Sequence, residues 1–120
     1  MRFNYKKITL VIVIAAVMPV LLLVFGDGQE DESKRYLVEC LEQAGVVIYG
    51  SVTCPFCTEL ANEFGGYEVI DPIYVECTEE PDRCDEEMIG RGVPEIQVEG
   101  EVYQGSREPA AIGQAVGCEM

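Results

Sequence analysis

The chain opens with a long apolar segment whose pattern differs from that of everything after it. From Ile8 to Phe25, 18 consecutive residues are apolar apart from Thr9 and Pro19. As a helix, this segment would extend about 27 Å at 1.5 Å per residue, close to the roughly 30 Å thickness of a bilayer core. The pattern therefore predicts one N-terminal transmembrane helix.

The charges on either side of the apolar segment predict its orientation. Three basic residues precede it, and acidic residues follow it. Because positive charge is retained on the cytoplasmic side, we expect residues 1–7 in the cytoplasm, a single-pass anchor in the cell membrane at 8–25, and the rest outside. A cleaved signal peptide is the alternative, although Val24-Phe25-Gly26 is a poor cleavage site and the apolar segment is long for a signal peptide.

Beyond an acidic spacer at 26–33, the periodicity of the apolar positions alternates between that of helices and that of strands. Residues 34–120 therefore predict an α/β domain. Its expected elements are a leader helix ending at Gly45, a strand at 46–49, a helix from the motif CPFC to Gly65-Gly66, a strand at 69–76 with a bulge or late start at Asp71-Pro72, a helix at 81–90, strands at 94–98 and 101–105, and a last helix between Pro109 and Gly117. We expect Met88 and Ile89 to face inward, and Glu99-Gly100 to form a hairpin turn.

Charge and cysteine content narrow the possible functions. All 22 acidic residues follow Gly26, against five basic ones, so the exported part carries a net charge of −17. Such a charge argues against binding to nucleic acid or to an anionic membrane surface. All six cysteines also follow the anchor, and an even number in a small exported domain favours disulfides.

Two of these cysteines, in Cys54-Pro55-Phe56-Cys57, lie where a predicted strand ends and a helix begins. In the first helical turn, the sulfur of Cys54 would face unpaired backbone N–H groups and the positive end of the helix dipole, which stabilise a thiolate. Cys57 follows one turn later, close enough to resolve a mixed disulfide formed at Cys54. Pro55 at the first helical position costs no hydrogen bond. The motif therefore predicts a redox-active pair.

Two other interpretations of this motif are a metal site and an inert structural pair. Half of a zinc site would need two further ligands, but the sequence has no histidine and the other cysteines are six or more residues apart. An inert pair rarely has so short a spacing at a helix start. We therefore expect neither a metal nor a cofactor.

Gly92-Val93-Pro94 opens the third predicted strand, 37 residues after Cys57. Together with CPFC and the order of elements, this proline makes residues 46–117 resemble the thioredoxin superfamily. The resemblance implies a thioredoxin-like fold, with a central mixed sheet flanked by helices, and a cis-Pro94 that faces the cysteine pair. It also implies that Pro55, Phe56, Val93 and Pro94 contact the substrate.

A closer resemblance is to the thioredoxin-like domains associated with vitamin K epoxide reductase homologues. It rests on Tyr74-Val75-Glu76-Cys77, Cys84, Gly90-Arg91-Gly92-Val93-Pro94 and Gly100-Glu101-Val102-Tyr103-Gln104-Gly105. Domains of that family oxidise client cysteines outside the cytoplasmic membrane and are reoxidised by a quinone-linked membrane partner. The resemblance implies a structural disulfide between Cys77 and Cys84. Cys40 and Cys118 remain, and their pairing would join the two ends of the domain.

The chain also departs from the superfamily pattern near the redox motif. Ile48 replaces the buried carboxylate that thioredoxins carry on the strand below the motif, so Glu59 or water would have to take its place. Glu95 follows Pro94, and its charge is expected to oppose the lowering of the Cys54 pKa. The Pro-Phe pair also resembles glutaredoxins, but Gly92 replaces the Thr of their glutathione-contacting Thr-Val-Pro.

These observations predict a membrane-anchored, extracytoplasmic thiol–disulfide oxidoreductase that oxidises cysteine-containing exported proteins, with a quinone-linked partner of the vitamin K epoxide reductase type. One alternative is a glutaredoxin-like reductase or isomerase. The other is a non-catalytic binding module whose CxxC motif is only structural.

Overall fold

The computed structural model describes residues 5–25 and 28–119, with side chains at 5–19 and 31–119. The chain separates into two compact units, Met1–Glu30 and Asp31–Met120. In the first unit, helix α1 (Tyr5–Phe25) contains the predicted anchor, and residues 1–4 of the predicted cytoplasmic segment lie outside the described residues. Within the described part of the chain, no helix is both long and apolar enough to cross a membrane.

The second unit is built on a four-stranded sheet. Its elements are α2 (Gly28–Gln43, which begins in the first unit), β1 (Val46–Gly50), α3 (Pro55–Glu63), α4 (Tyr67–Ile70), a short 3-10 helix (Asp71–Ile73), β2 (Tyr74–Glu76), α5 (Pro81–Glu87), β3 (Glu95–Val98), β4 (Glu101–Val102) and α6 (Pro109–Val116). The strand order is β2-β1-β3-β4. β1 is parallel to β2 and antiparallel to β3, and β3 is antiparallel to β4. The predicted α/β class with a mixed central sheet is confirmed.

The apolar core consists of two clusters, one on each face of the sheet, because successive side chains of β1 point to opposite faces. The larger cluster joins Ile48 to α2, α3 and α6, and it includes Leu37, Val38, Leu41, Val46, Leu60, Ala61, Phe64, Ile96 and Ile112. The smaller cluster lies on the other face, where Tyr49 and Val75 pack with Cys84 of α5. The CPFC motif lies at the start of α3, so it belongs to the side of the larger cluster.

Local signals placed the hairpin and the last helix correctly. Glu99 and Gly100 both have positive φ, 50° and 82°, as the central residues of the tight turns that join twisted antiparallel strands. Gly117, at φ 82°, ends α6 in the left-handed conformation. The hairpin is shorter than predicted, since β4 ends at Val102 and not at residue 105.

The predicted strand at 69–76 is wrong over its first half. Val69, Ile70 and Ile73 are buried, and their i, i+1, i+4 spacing is that of a helix face. α4 and the 3-10 helix occupy this stretch, and only Tyr74–Glu76 pair as a strand. Pro72, at the start of the 3-10 helix, has no N–H to donate to a strand ladder.

The predicted inward position of Ile89 is also wrong. α5 ends at Glu87, Met88 is extended and half-buried against the smaller cluster, and Ile89 is 63 % exposed. The helix stops here because the backbone N–H of Ile89 donates to the carboxylate of Glu95, 3.0 Å away. At the other end of the domain, residues 28–33 of the predicted acidic spacer are helical and belong to α2.

Four cysteines form two disulfide bonds, and both proposed pairings are present. Cys40 in α2 is bonded to Cys118, just past α6, so the first and last helices of the sheet domain are linked. Cys77, directly after β2, is bonded to Cys84 in α5. The disulfides leave Cys54 and Cys57 as the two free thiols.

Candidate active site

The CPFC motif follows β1 after a three-residue loop. Cys54 is the N-cap residue of α3, with extended backbone angles, and Pro55 is the first helical residue. The sequence predicts Cys54 in the first turn of the helix, but the residue lies one position before that turn, and it is half-buried. Cys57 is inside the helix and only 1 % exposed. One thiol of the pair can be reached by another protein, and the other cannot.

Several donors around Cys54 favour its thiolate. The largest effect comes from a hydrogen bond with the Cys57 side chain, and the backbone N–H groups of Cys57 and Phe56 act in the same direction. The positive charge of Arg107 adds to them. Partial burial alone would raise the pKa of Cys54, but these groups hold it below its ordinary value, as expected for a nucleophilic cysteine at a helix start.

Cys57 is perturbed in the opposite direction. Burial has the largest effect and raises its pKa to about 11, with further contributions from its hydrogen bond to Cys54 and from the charges of Cys54 and Glu76. A backbone hydrogen bond at Ser51 opposes the shift. A single proton shared by the pair would therefore remain on Cys57, and Cys54 would be the reactive sulfur.

The backbone opposite Cys54 is formed by the predicted proline. The Val93–Pro94 peptide bond is cis, so this expectation is confirmed. The Cys54 thiol lies 3.8 Å from the carbonyl oxygen of Val93, which brings the two parts of the predicted site together. Phe56, also a predicted contact residue, projects into solvent with 67 % of its surface exposed, and Val52 in the preceding loop is exposed as well.

A small cavity adjoins the cis-proline. It has a volume of about 190 Å³, and its walls include Gly92, Pro94, Tyr103 and Arg107. Sequence reasoning did not identify Arg107, because nothing in Ser106-Arg107-Glu108 distinguishes it from any other charged loop residue. Its importance depends on the fold, which brings the loop before α6 to the redox motif.

The structure gives Glu95 a different role from the one predicted. Its side chain is on the face of the sheet opposite α3, where it is 5 % exposed and accepts hydrogen bonds from the N–H groups of Ile89 and Gly90 and from the Gln97 amide. Burial alone would raise its pKa, but the bonds from Gln97, Gly90 and Ile89 hold it below the ordinary value. Glu95 therefore anchors the loop that leads to cis-Pro94.

Replacing Glu95 by alanine should lower the free energy of unfolding by roughly 2–3 kcal/mol, because buried donors would lose a charged acceptor. A folded-state pKa below the unfolded value of about 4.3 means that this stabilisation is complete at neutral pH and is lost as the pH falls through the folded-state pKa. Urea unfolding at several pH values would measure it. The variant should lose less stability on acidification than the wild type, and exposed Glu101→Ala is the control. Equal losses in the two variants at pH 7 would contradict this role.

The other candidate residues do not form a second functional site. Ile48 is fully buried in the larger cluster, and Glu59 is exposed on α3. Among the described residues, no group of three or more His, Cys, Asp or Glu side chains could hold a metal ion. Glu76 stands out in the sequence only as part of a motif, and in the structure its charge contributes to the raised pKa of Cys57.

No known protein family matches this chain, and no curated protein is significantly similar to it.

Proposed function

We propose that this chain is a thiol–disulfide oxidoreductase with a thioredoxin-like fold. The observation that carries the proposal is the asymmetry of the two free thiols. Cys54 is accessible, begins a helix and has a lowered pKa, whereas Cys57 is buried one turn later and has a raised pKa. That combination suits a pair in which one sulfur exchanges with a client and the other closes the internal disulfide.

The arrangement around the pair supports the proposed fold. The elements from β1 to α6 contain the predicted sequence of strands and helices, with α4 and a 3-10 helix added before β2. A three-residue loop connects β1 to the CPFC motif, and cis-Pro94 precedes the neighbouring antiparallel strand β3. This places the backbone of Val93 beside Cys54, as the resemblance to the thioredoxin superfamily implies.

In the oxidising direction, a client thiolate attacks the sulfur of Cys54 in the Cys54–Cys57 disulfide. The bond between the two sulfurs breaks, and Cys57 leaves with the electron pair and takes a proton from solvent. A second client thiolate then attacks the client sulfur of the mixed disulfide, so the client becomes a disulfide and Cys54 leaves as a thiolate. A low pKa at Cys54 makes it a good leaving group, which favours this direction.

Client contact is proposed at the exposed surface beside Cys54. Pro55 and Phe56 border the sulfur on the helix side, and Val93 and Pro94 border it on the sheet side. An extended client segment could pair with the backbone at Val93 and lay an apolar side chain on Phe56, since 67 % of that ring is exposed to water. The negative charge of the exported part would favour clients that are not strongly acidic.

The cellular setting is part of the same proposal. Residues 8–25 would anchor the chain, the domain would lie outside the cytoplasm, and a quinone-linked membrane protein of the vitamin K epoxide reductase type would reoxidise Cys54 and Cys57. Two disulfides in a domain of this size suit an oxidising compartment.

Two measurements on the full-length protein would test the proposal. The purified chain should oxidise a dithiol peptide or reduce insulin, and a variant with both Cys54 and Cys57 replaced by serine should do neither. The redox state of the pair in cells, fixed by rapid thiol alkylation, then gives the direction. A mainly oxidised pair supports the oxidant, and a mainly reduced pair supports the reductase or isomerase. Wild-type protein without exchange in either direction would favour the binding module.

A further inference from the structure

The segment between α5 and β3, residues 88–94, carries the backbone that lies beside Cys54. In the described structure it consists of bends rather than helix or strand, and residues 89–92 are exposed. Near its end, the carbonyl oxygen of Val93 lies 3.8 Å from the Cys54 sulfur. The position of the middle of this segment therefore depends more on hydrogen bonds than on apolar burial.

Two side chains of β3 supply these hydrogen bonds. Glu95 accepts the N–H of Ile89 at 3.0 Å through one carboxylate oxygen and the N–H of Gly90 through the other. The side-chain nitrogen of Gln97 donates to the Glu95 carboxylate at 2.7 Å. The same nitrogen donates at 2.9 Å to the carbonyl oxygen of Glu87, the last residue of α5. Glu95 and Gln97, which we call the β3 clamp, thus hold the end of α5 and the start of the segment together.

The segment lies directly against the clamp at residue 90. A Cβ atom at Gly90 would lie 2.7 Å from a carboxylate oxygen of Glu95. A Cβ atom at Gly92 would meet no atom of the described residues within 4 Å beyond its chain neighbours. Neither glycine has a positive φ, so the difference between them reflects contact and not backbone strain. The close approach is confined to the part of the segment that the clamp holds.

The clamp is buried, which makes it an expensive way to gain stability alone. Glu95 and Gln97 are each 5 % exposed, and their register partners on β1, Tyr49 and Val47, belong to the smaller cluster. Desolvation of an ionised carboxylate carries a large free-energy cost that its hydrogen bonds must offset, whereas apolar side chains would fill this cluster without that cost. A satisfied polar network instead fixes one arrangement of the groups that it joins.

The backbone that is fixed in this way has groups available for pairing with another chain. Among the described residues, the Val93 N–H has no hydrogen-bond acceptor, and the donor to its carbonyl oxygen is the Cys54 thiol. Pro94, the next residue, is buried. A client strand that pairs with Val93 would place its own sulfur correctly only if Val93 stays at a fixed distance from Cys54.

We propose that Glu95 and Gln97 are positioning residues that make Cys54 reactive towards a client segment by holding Val93 beside its sulfur. They contact neither the sulfur nor the client, and no proton or electron passes through them. This role rests on the proposed exchange function, because it matters only in a protein that exchanges disulfides with another chain. Small thiols need no backbone contact, so their reaction at Cys54 should not depend on the clamp.

The test compares two reductants of the oxidised full-length protein, a dithiol peptide and dithiothreitol. Each becomes a disulfide itself and leaves Cys54 and Cys57 as thiols. Alkylation after a rapid quench, followed by mass spectrometry, measures the appearance of the Cys54 thiol separately from the other disulfides.

Glu95→Gln replaces one accepting oxygen of the clamp by a donor group. The rate constant for the peptide should fall roughly tenfold, the order expected when a hydrogen bond to a charged group no longer restrains the segment. The rate constant for dithiothreitol should not change. Gln97→Leu retains the carboxylate and a side chain of similar size, so it should show the same selective loss by a smaller factor. If Glu95→Gln does not fold, Gln97→Leu decides the question.

Two exposed residues provide matched controls. Glu101→Gln removes a charge from the neighbouring strand β4, and Gln114→Leu makes the same exchange of side chains on α6. Both variants should react like the wild type with the peptide and with dithiothreitol. A role of the clamp in stability alone would change the two rate constants together or leave both unchanged, so the ratio of the two rate constants reports positioning.

Amide hydrogen exchange tests the clamp without a client. In Glu95→Gln and Gln97→Leu, the N–H groups of Ile89 and Gly90 should exchange faster than in the wild type, while those of β1 keep their protection. Unchanged exchange at these two residues, equal losses of rate with both reductants, or an equal loss in Glu101→Gln would overturn the positioning role. A wild type that reacts with dithiothreitol but not with the peptide would reject the proposed function, and the role of the clamp with it. A wild type that reacts with the peptide, but whose clamp variants show no selective loss, would reject the positioning role alone.

Discussion

Replacing Cys54 by serine should abolish disulfide exchange, whereas replacing Cys57 by serine should convert transient mixed disulfides into persistent ones. The half-buried Cys54 has a lowered pKa and can attack a disulfide of a client or of the membrane partner, and the buried Cys57 is the internal thiol that resolves the mixed disulfide formed in this way. Without Cys57, the bond between Cys54 and a client sulfur has no internal thiol to break it. We expect activity on a model substrate to fall by at least about a thousandfold in Cys54→Ser, as expected when the attacking group of a covalent mechanism is lost.

Trapped complexes can be identified by non-reducing electrophoresis and mass spectrometry of cells that express each variant. An oxidant recharged by a membrane partner should yield exported clients together with a polytopic membrane protein in Cys57→Ser. Cys54→Ser should yield neither, and the double variant provides the background. Equal trapping through Cys57 alone would mean that the attacking and resolving sulfurs have been assigned in the wrong order.

Removing the Cys40–Cys118 disulfide should cost about 4–5 kcal/mol of unfolding free energy, and removing Cys77–Cys84 about 2–3 kcal/mol. The first bond joins residues 78 positions apart and the second joins residues 7 apart, so the first constrains the unfolded chain far more. In the loop-entropy description, stabilisation grows with the logarithm of loop length, which gives this difference. The first loss is comparable to the whole stability of many small domains.

The two bonds allow a matched comparison. Each contains one deeply buried sulfur residue, Cys118 at 4 % and Cys84 at 5 % exposure, so alanine pairs at 40/118 and at 77/84 remove similar packing. Denaturant unfolding of both double variants, followed by circular dichroism, would measure the two losses. A larger loss from the short loop would show that packing around α5, and not chain entropy, determines the result.

Elements with local signals were predictable from the sequence. The Glu99-Gly100 turn, the Pro and Gly at the two ends of α6, and the apolar β1 each specify structure through residues that are close together in the chain. The strand predicted at 69–76 is wrong over its first half because a short apolar stretch of this kind is compatible with either a strand or a helix. Only packing against the larger cluster decides between the two. The inward position predicted for Ile89 is wrong because the hydrogen bond from its N–H group to Glu95 ends α5 before this residue.

The residues of the candidate site also differ in whether the sequence identifies them. Cys54, Cys57 and Pro94 belong to motifs that the sequence displays directly, and the fold brings them together as expected. Arg107 and Glu76 could not be recognised, because a lone arginine in a loop and a glutamate at a strand end are common. Their influence on Cys54 and Cys57 arises only when distant segments meet. Charged residues that shift the pKa of a cysteine do not occur at a characteristic spacing from it in the sequence.

The two faces of the sheet are covered unequally, so the layers on the two faces should open at different free energies. Helices α2, α3, α4 and α6 and a large cluster cover one face, while α5, seven residues long, covers the other with a small cluster and the Cys77–Cys84 bond. A helix of that length has little stability of its own in water. Reduction of this bond would therefore allow α5 to open as a separate unit, at a free energy below that of global unfolding, while the opposite layer and the redox pair stay folded.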